Sequence, residues 1–242
     1  MNMGGVGYQG PFVTGVPYSA TQVQEHTRTL LDGTHISQEP FTTLVYRDSQ
    51  GRTRREQTMF PGRSIEENQP MIIQIQDPVA GFKYVLDVED RIAYRAIATR
   101  PPSGVVTVTA PVQSSSAEKI DPAPALSAAE TQATPTQTSE SLGTQNLEGV
   151  TVRGYRITTI VPVGVEGNDR PLVSTYELWK SRELGVTVLS KSSDPLNGET
   201  ITRLTKIIFE EPDPTLFQPP RDYKIVDEPG SFTIHYTRPS SK

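Results

Sequence analysis

Residues 82–98 read FKYVLDVEDRIAYRAIA, and this stretch decides the fold. Two runs rich in β-branched and aromatic residues, Phe82–Asp87 and Arg91–Ala98, lie on either side of the polar group Val88-Glu89-Asp90. Their apolar side chains recur with a period of two, which places alternate residues on opposite faces of a sheet. We therefore predict two antiparallel strands joined by a short turn.

The same pattern extends toward the N-terminus. Gln22–Leu31 alternates loosely and ends at Asp32-Gly33, a strong signal for a two-residue hairpin turn. Thr34–Tyr46 continues on the other side of that turn, and a second turn at residues 48–51 leads into Arg52–Phe60. These three runs predict a β-meander.

Alternating runs also fill the C-terminal third, and no segment carries a clear helical stripe. The nearest to a helix is Thr21–Leu31, whose Gln, Glu and Leu residues favour a helix, but its threonines and the Asp-Gly that follows favour a strand. The further predicted strands are Met71–Gln76, Gly104–Val112, Val150–Pro162, Leu172–Ser181, Val186–Ser192, Glu199–Phe209, Tyr223–Val226 and Ser231–Thr237. We predict an all-β fold, a curved antiparallel sheet in the form of a half-barrel, with about ten strands.

One segment interrupts the strands. From Gln113 to about Gln145 the chain is rich in Ser, Thr, Ala, Pro, Gln and Glu and has no aromatic residue, so it cannot bury enough surface to offset its ordering entropy. The predicted organisation is a flexible Gly/Pro-rich N-terminal tail over 1–18, the first half of a β domain over 19–112, a low-complexity disordered insertion over 113–147, the second half of the domain over 148–227, and a C-terminal tail with an edge strand over 228–242.

Composition excludes several classes of function. A net charge of −5 lacks the basic footprint of a nucleic-acid binder, so we expect no nucleic-acid partner. The absence of cysteine excludes disulfides, iron–sulfur clusters and thiolate zinc sites. The sequence has no run of about 18 apolar residues, so it predicts no membrane-spanning helix. Met1–Gly15 has neither the basic nor the apolar region of a signal peptide, although its Gly-rich start is typical of a mature N-terminus or of a start codon placed too far downstream.

The ionisable residues do not form a convincing catalytic or metal site. His26 and His35 flank Asp32-Gly33 and would face each other across a hairpin, but no third metal ligand is evident. The acidic pairs Glu66-Glu67 and Glu210-Glu211 are sequence neighbours and would point to opposite faces of a strand. We predict no enzyme, no metal and no cofactor.

Two groups of side chains are candidates for binding. The first is a set of aromatic residues on predicted strands, which would line a concave apolar face or belong to an ordinary core: Tyr84, Tyr94, Tyr155, Tyr176 and Trp179. The second is the one basic concentration, which would bind an acidic surface or a lipid headgroup, or form a solvated strand face: Arg47, Arg52, Arg54, Arg55 and Arg63. The predicted ligand-binding residues are the five aromatic ones.

The C-terminal third resembles a known family. Tyr176-Glu177-Leu178-Trp179 leads to a tight turn at Leu184-Gly185-Val186, and the return strand ends at residues 194–199. Thr205–Phe209 and the Pro-rich segment Glu211–Tyr223 follow. This succession, over about residues 150–226, resembles the closing strands of the lipoprotein-carrier superfamily, which includes LolA and the RseB-type sigma-factor regulators.

The resemblance implies an open, strongly curved antiparallel sheet with helices plugging its concave face, where acyl chains or lipoproteins bind. It also implies a location in the cell envelope, periplasmic or extracellular. We therefore expect a non-catalytic envelope binding protein with a lipid or lipoprotein ligand. The alternative is an extracellular structural protein whose terminal tails assemble it into filaments, because a short strand after a Pro-Gly break can complete a neighbour's sheet edge.

Overall fold

A computed structural model describes residues 13–30, 32–58, 72–98 and 134–228. These residues form one large, open, curved sheet of thirteen strands, with a single short 3-10 helix, η1, at Pro214–Phe217. The strands are β1 (Tyr18–Thr29), β2 (His35–Ser37), β3 (Phe41–Arg47), β4 (Thr53–Gln57), β5 (Ile72–Asp77), β6 (Phe82–Asp87), β7 (Ile92–Ile97), β8 (Thr136–Leu147), β9 (Val150–Val161), β10 (Leu172–Ser181), β11 (Val186–Asp194), β12 (Gly198–Ile208) and β13 (Lys224–Asp227).

The predicted fold class is confirmed. The strands lie in the order β13-β7-β6-β5-β4-β3-β1-β12-β11-β10-β9-β8, with β2 paired to β1. Neighbouring strands are antiparallel, except that β13 pairs with β7 in parallel. In the run Thr21–Leu31, the residues up to Thr29 belong to strand β1 rather than to a helix. The run Thr34–Tyr46, predicted as one strand, is divided into β2 and β3 around Pro40, whose ring leaves no N–H for a ladder.

Strand β1 joins the two halves of the sheet. On one side it pairs with β3, so that Gln22 lies opposite Thr43, and on the other side it pairs with β12, so that Gln22 lies opposite Leu204. The N-terminal meander β3–β7 and the C-terminal meander β8–β12 are thus continuous through one central strand. Tyr18, predicted as the end of a flexible tail, begins β1 and is buried.

Strand β8 corrects the predicted insertion over 113–147, which is wrong for residues 136–147. These residues pair with β9 over almost their whole length, although ten of the twelve residues are exposed. Only Leu142 and Leu147 pack against the core. Backbone hydrogen bonds to β9, a strand rich in β-branched residues, order β8. A prediction from composition considers only the burial of side chains and so misses this contribution.

Two apolar clusters stabilise the sheet. The larger joins β1, β3 and β9–β12 and includes the fully buried Leu184. The smaller lies on β5, β6 and β7 beneath η1 and is centred on Ile75, Leu86 and Phe217, all with no exposed surface. Alternation along the strands predicts eight apolar core residues from the sequence. Val188 and Leu204 are buried, whereas the other six are half-buried: Val85, Ile92, Tyr94, Ile157, Leu178 and Ile207.

After β12 the chain crosses the N-terminal half of the sheet as a strap, residues 209–223. The Glu211 carboxylate accepts hydrogen bonds from the Ser49 backbone and hydroxyl groups at the β3–β4 turn. Farther along, Arg54 donates to the carbonyl oxygen of Leu216 at 2.9 Å. Asp213 precedes η1 and accepts from the Thr215 N–H, and Pro214 occupies the first turn, where its missing N–H costs nothing.

Several predictions concern residues outside the described ranges. They are the first twelve residues of the N-terminal tail, the strands at Gly104–Val112 and Ser231–Thr237, the part of the insertion before residue 134, and Arg63. Within the described ranges, the chain has no helix with the length and apolar character needed to cross a membrane.

Candidate functional site

The curvature of the sheet encloses a cavity of about 340 Å³. Its wall includes Gln74 and Gln76 of β5 as well as Tyr176 and Leu178 of β10, although five strands lie between these two in the sheet order. Residues so far apart in a flat sheet could not share one cavity, so the face that carries them is concave. A volume of this size lies at the lower end of the roughly 300–1,000 Å³ typical of ligand pockets.

The half of the wall contributed by β10, β11 and β12 is mainly apolar. The half-buried Leu178 supplies aliphatic surface, Val188 and Leu204 line the same wall as core residues with 1% and 6% of their surface exposed, and small hydroxyl residues lie between them. Strand pairing puts Leu178 opposite Ser190, and Ser190 opposite Thr202, so these side chains share one face of the sheet. Such a surface fits a hydrocarbon chain better than a strongly hydrated group.

The half contributed by β3, β4 and β5 is polar. Arg55 of β4 lies between Val45 and Gln74 in the pairing, and its Nη2 donates to Oε1 of Gln22 at 3.0 Å. In the neighbouring row, Thr53 pairs with Gln76. The concave face therefore changes from apolar to polar and cationic at β1, the central strand.

One end of the cavity is closed by the segment that precedes β1. Val13 lies against Gly51 of the β3–β4 turn and Gly185 of the β10–β11 turn, where an added Cβ would approach Val13 atoms to 3.1 and 2.9 Å. Both glycines have positive φ, which also favours the absence of a side chain. The carbonyl oxygen of Val16 accepts two hydrogen bonds from the buried Arg47 guanidinium, which fixes the segment in place.

Helices fill the concave face in the family that the sequence resembles, but this sequence shows no helical stripe, and its described residues place no helix on that face. The one helical turn, η1, covers the other face, because Phe217 packs against Ile73 and Ile75, which alternate along β5 with the cavity residues Gln74 and Gln76. The prolines around η1 end it after one turn. Within the ranges that the structure describes, the concave face is thus lined by strands.

The five aromatic residues predicted to bind a ligand are not brought together. Tyr176 lines the cavity and is 42% exposed, while Tyr155 lies one strand farther out with the Arg153 guanidinium 5.3 Å from its ring centre. Tyr84 packs against the small cluster beneath η1. Tyr94 lies on β7, where burial and the charge of Asp87 raise the pKa of its phenol.

Trp179 belongs to the core rather than to the cavity wall. Its ring stacks on Gly154 of the neighbouring strand, where a Cβ would come within 2.6 Å of ring atoms, and its indole N–H donates to Oε1 of Glu177 at 2.6 Å. Arg156 donates to the other Glu177 oxygen at 3.0 Å. Burial alone would raise the pKa of Glu177, but these hydrogen bonds outweigh it and hold the pKa below the ordinary 4.5.

This lowered pKa predicts a pH dependence of stability. Because the folded-state pKa of Glu177 lies below its unfolded value, its contribution to stability is present above the unfolded pKa of about 4.5 and is lost as pH falls through the folded-state pKa. We expect the difference in unfolding free energy between the wild type and Glu177→Gln to shrink between about pH 5 and pH 3. Urea denaturation at a series of pH values measures it, and a pH-independent difference would contradict the assignment.

The predicted opposition of the two histidines is wrong. His35 lies opposite Thr29, whose hydroxyl is 3.0 Å from its Nδ1, whereas His26 pairs across the other side of β1 with Thr200. In this register the position opposite His26 is Gln38, whose N–H donates to the His26 carbonyl oxygen, so His35 lies three residues away from it along the partner strand. No group of three potential metal ligands occurs in the part of the chain that the structure describes.

The basic concentration is divided between both faces of the sheet. Arg52 bonds to the fully buried Asp48, and Arg54 bonds to Glu56, so each has a carboxylate beside it. Arg47 and Arg55 alternate with these and face the cavity. Sequence reasoning identified the residues but missed this division, which the two-residue periodicity of β4 could have revealed.

No protein-family model matches this chain, and no curated protein matches it. Solved structures are similar to it at low identity. They include an uncharacterized conserved protein from Thermus thermophilus, with 10% identity over 88% of this chain and 91% of the other and a TM-score of 0.43. The MucA/MucB complex of Pseudomonas aeruginosa matches with 14% identity over 87% of this chain and 58% of the other, with a TM-score of 0.42. A domain assigned to outer membrane lipoprotein sorting, from Vibrio parahaemolyticus, matches with 10% identity over 80% and 85% and a TM-score of 0.27.

Proposed function

We propose that this protein is a non-catalytic cell-envelope binding protein, periplasmic or extracellular, whose concave sheet face takes up an acyl chain, either free or attached to a lipoprotein. The observation that carries the proposal is the cavity of about 340 Å³ with an aliphatic wall formed by Leu178, Val188 and Leu204. Leu178 is only half-buried, so part of this wall stays open to the cavity, and its burial by a hydrocarbon chain is favourable.

The proposed location in the cell envelope is supported by the sequence resemblance to lipoprotein carriers between Val150 and Val226. Those proteins hold acyl groups against a curved sheet, and the present sheet offers a curved face on which no described residue forms a helix. The aromatic ligand-binding set is narrowed to Tyr176, which adjoins Leu178 in the wall. The other four aromatic residues are assigned a structural role in the sheet and no contact with the ligand: Tyr84, Tyr94, Tyr155 and Trp179.

Native mass spectrometry after gentle extraction tests this function. We expect the protein to carry a co-purified acyl ligand, or to bind added palmitate at one site, because the apolar wall gains free energy when it is covered. A Leu178→Asp variant should lose the ligand, since it places a charge against the chain. The matched control is Leu196→Asp, at a hairpin turn where the side chain is 58% exposed, which should keep the ligand. Ligand-free protein that also rejects palmitate would contradict the proposal.

A second candidate is the structural protein that assembles through its tails. What favours it is the open sheet, in which β8, twelve residues long, pairs with β9 alone among the described strands and so forms an edge of that part of the sheet. Negative-stain microscopy at high protein concentration decides this candidate. Filaments that disappear when both tails are deleted would support it, and a strictly monomeric protein would exclude it.

A further inference from the structure

Strand β8 offers an edge to which another strand can be added. Among the described strands, it pairs with β9 alone. Its register with β9 is regular from Thr136 to Ser141, and the irregularity follows at Gly143. Lysines, prolines and repeated charges protect edge strands from unwanted pairing, yet β8 has no lysine or proline, and Glu140 is its only charged residue. An edge of this kind is a template for pairing with a further strand.

The two sides of the sheet differ in chemistry beside this edge. On one side, the Arg156 guanidinium lies 3.0 Å from the carboxylates of both Glu140 and Glu177. On the other side, Ser141 lies opposite Tyr155, and the short serine leaves this tyrosine 37% exposed. A strand added to β8 would therefore meet charged groups on the first side and uncovered aromatic surface on the second. Such a strand fits best if it is polar on one side and apolar on the other.

The C-terminal tail has this pattern in its sequence. Residues 231–237 read SFTIHYT, in which the apolar Phe232, Ile234 and Tyr236 alternate with serine, threonine and histidine. Strict alternation of this kind is typical of a strand with one apolar side. Pro229-Gly230, just before the segment, is a pair of residues that ends regular structure. The tail thus provides a candidate strand with the required difference between its two sides.

The tail of a chain is too short to reach β8 of the same chain. It follows β13, and β13 and β8 are the two ends of the strand order. Eleven strand spacings separate them, which is roughly 50 Å along the sheet, or roughly 30 Å across a sheet bent to a half-circle. From Asp227 to Ser231 the chain spans at most roughly 14 Å. Only a second copy can therefore bring this segment alongside β8.

We infer that the edge of β8 binds residues 231–237 of a second copy, which add as a strand with their apolar side chains on the side of Tyr155. This inference rests on the second candidate function, assembly through the tails, and it names the donor segment and the acceptor strand. Donor and acceptor lie at opposite ends of the strand order, so the contact is heterologous and repeats from copy to copy.

Two full-length variants each remove one half of the contact. Ile234→Asp places a charge within the apolar side of the donor, and Ser139→Lys combined with Ser141→Lys places two lysines on the acceptor edge. Sedimentation velocity over a concentration series should show association of the wild type and at least about tenfold weaker association of either variant alone. The matched control is Ser193→Lys, at an exposed position of the interior strand β11, which should associate as the wild type does.

A mixture of the two variants identifies the occupant of the edge. The Ile234→Asp protein keeps an intact β8 and the lysine variant keeps an intact tail, so an equimolar mixture should form dimers and no larger species. Recovery of the dimer also shows that both variants are folded. Pairing of β8 with β8 of another copy, or with a segment of its own chain, gives no such recovery and would overturn the inference.

The same measurements separate this inference from the candidate function on which it rests. A wild-type protein that stays monomeric at high concentration would overturn both. Assembly that Ile234→Asp abolishes and the two lysines leave unchanged would overturn the role of β8 as acceptor, while assembly through the tails would stand.

Discussion

Replacement of Phe217 by alanine is expected to lower the free energy of unfolding by about 3–5 kcal/mol, because the ring is fully buried against Ile75 and Leu86 and the truncation leaves a cavity. The Arg52 guanidinium lies 5.2 Å from the centre of the ring and would lose that contact as well. Urea denaturation followed by circular dichroism measures the loss.

The matched control for Phe217 is a phenylalanine in the same strap. Phe209 is 49% exposed, so Phe209→Ala should change the free energy of unfolding by less than about 1 kcal/mol. Equal losses for the two variants would contradict the assignment of Phe217 as the residue that fastens the strap to the sheet. Since Phe217 lies on the face opposite the cavity, its variant should retain acyl binding wherever it remains folded.

Replacement of Trp179 by alanine should likewise cost about 3–5 kcal/mol of stability. The ring is 8% exposed, belongs to the larger apolar cluster and stacks on Gly154, and its N–H donor would be removed from Glu177. Thermal denaturation, with the ellipticity of the sheet as signal, measures this loss.

Tyr176→Ala provides the contrast, since the two residues lie three positions apart on β10 and differ in burial. We expect Tyr176→Ala to lose less than about 1 kcal/mol of stability while weakening acyl binding, because its side chain is 42% exposed in the cavity wall. A Trp179→Ala protein as stable as the wild type would contradict the core role of Trp179. A Tyr176→Ala protein that has unfolded would contradict the placement of Tyr176 in the cavity wall.

The sequence predicts the strands well wherever alternation and turn residues agree. Leu172–Ser181 and Phe82–Asp87 coincide with β10 and β6 to the residue, because turns bound both runs and a buried face fixes their register. Strand β8 escapes prediction because it buries almost no side chain and is ordered by backbone pairing to β9. Its ordering is a tertiary effect that local composition does not encode.

The candidate site is less predictable than the fold, for a geometric reason. Alternation places Leu178 and Leu204 on a common face but does not say that the sheet bends enough to bring β5 and β10 to one cavity. A large aromatic residue is a natural candidate for ligand binding in a sequence, yet Trp179 belongs to the core. Its ring packs on Gly154 of the neighbouring strand, and the sequence alone does not predict this contact. Arg55 points to the concave side and its neighbour Arg54 to the opposite side, and only their alternate positions along β4 distinguish them.

Photo-crosslinking with a diazirine-bearing fatty acid tests the central claim, which is that the concave face holds an acyl chain. After irradiation and digestion, covalent adducts should map to the peptides that contain Leu178, Val188 and Leu204, and excess oleate should suppress them. Adducts confined to the strap at residues 209–217 on the opposite face, or adducts that oleate does not suppress, would contradict it.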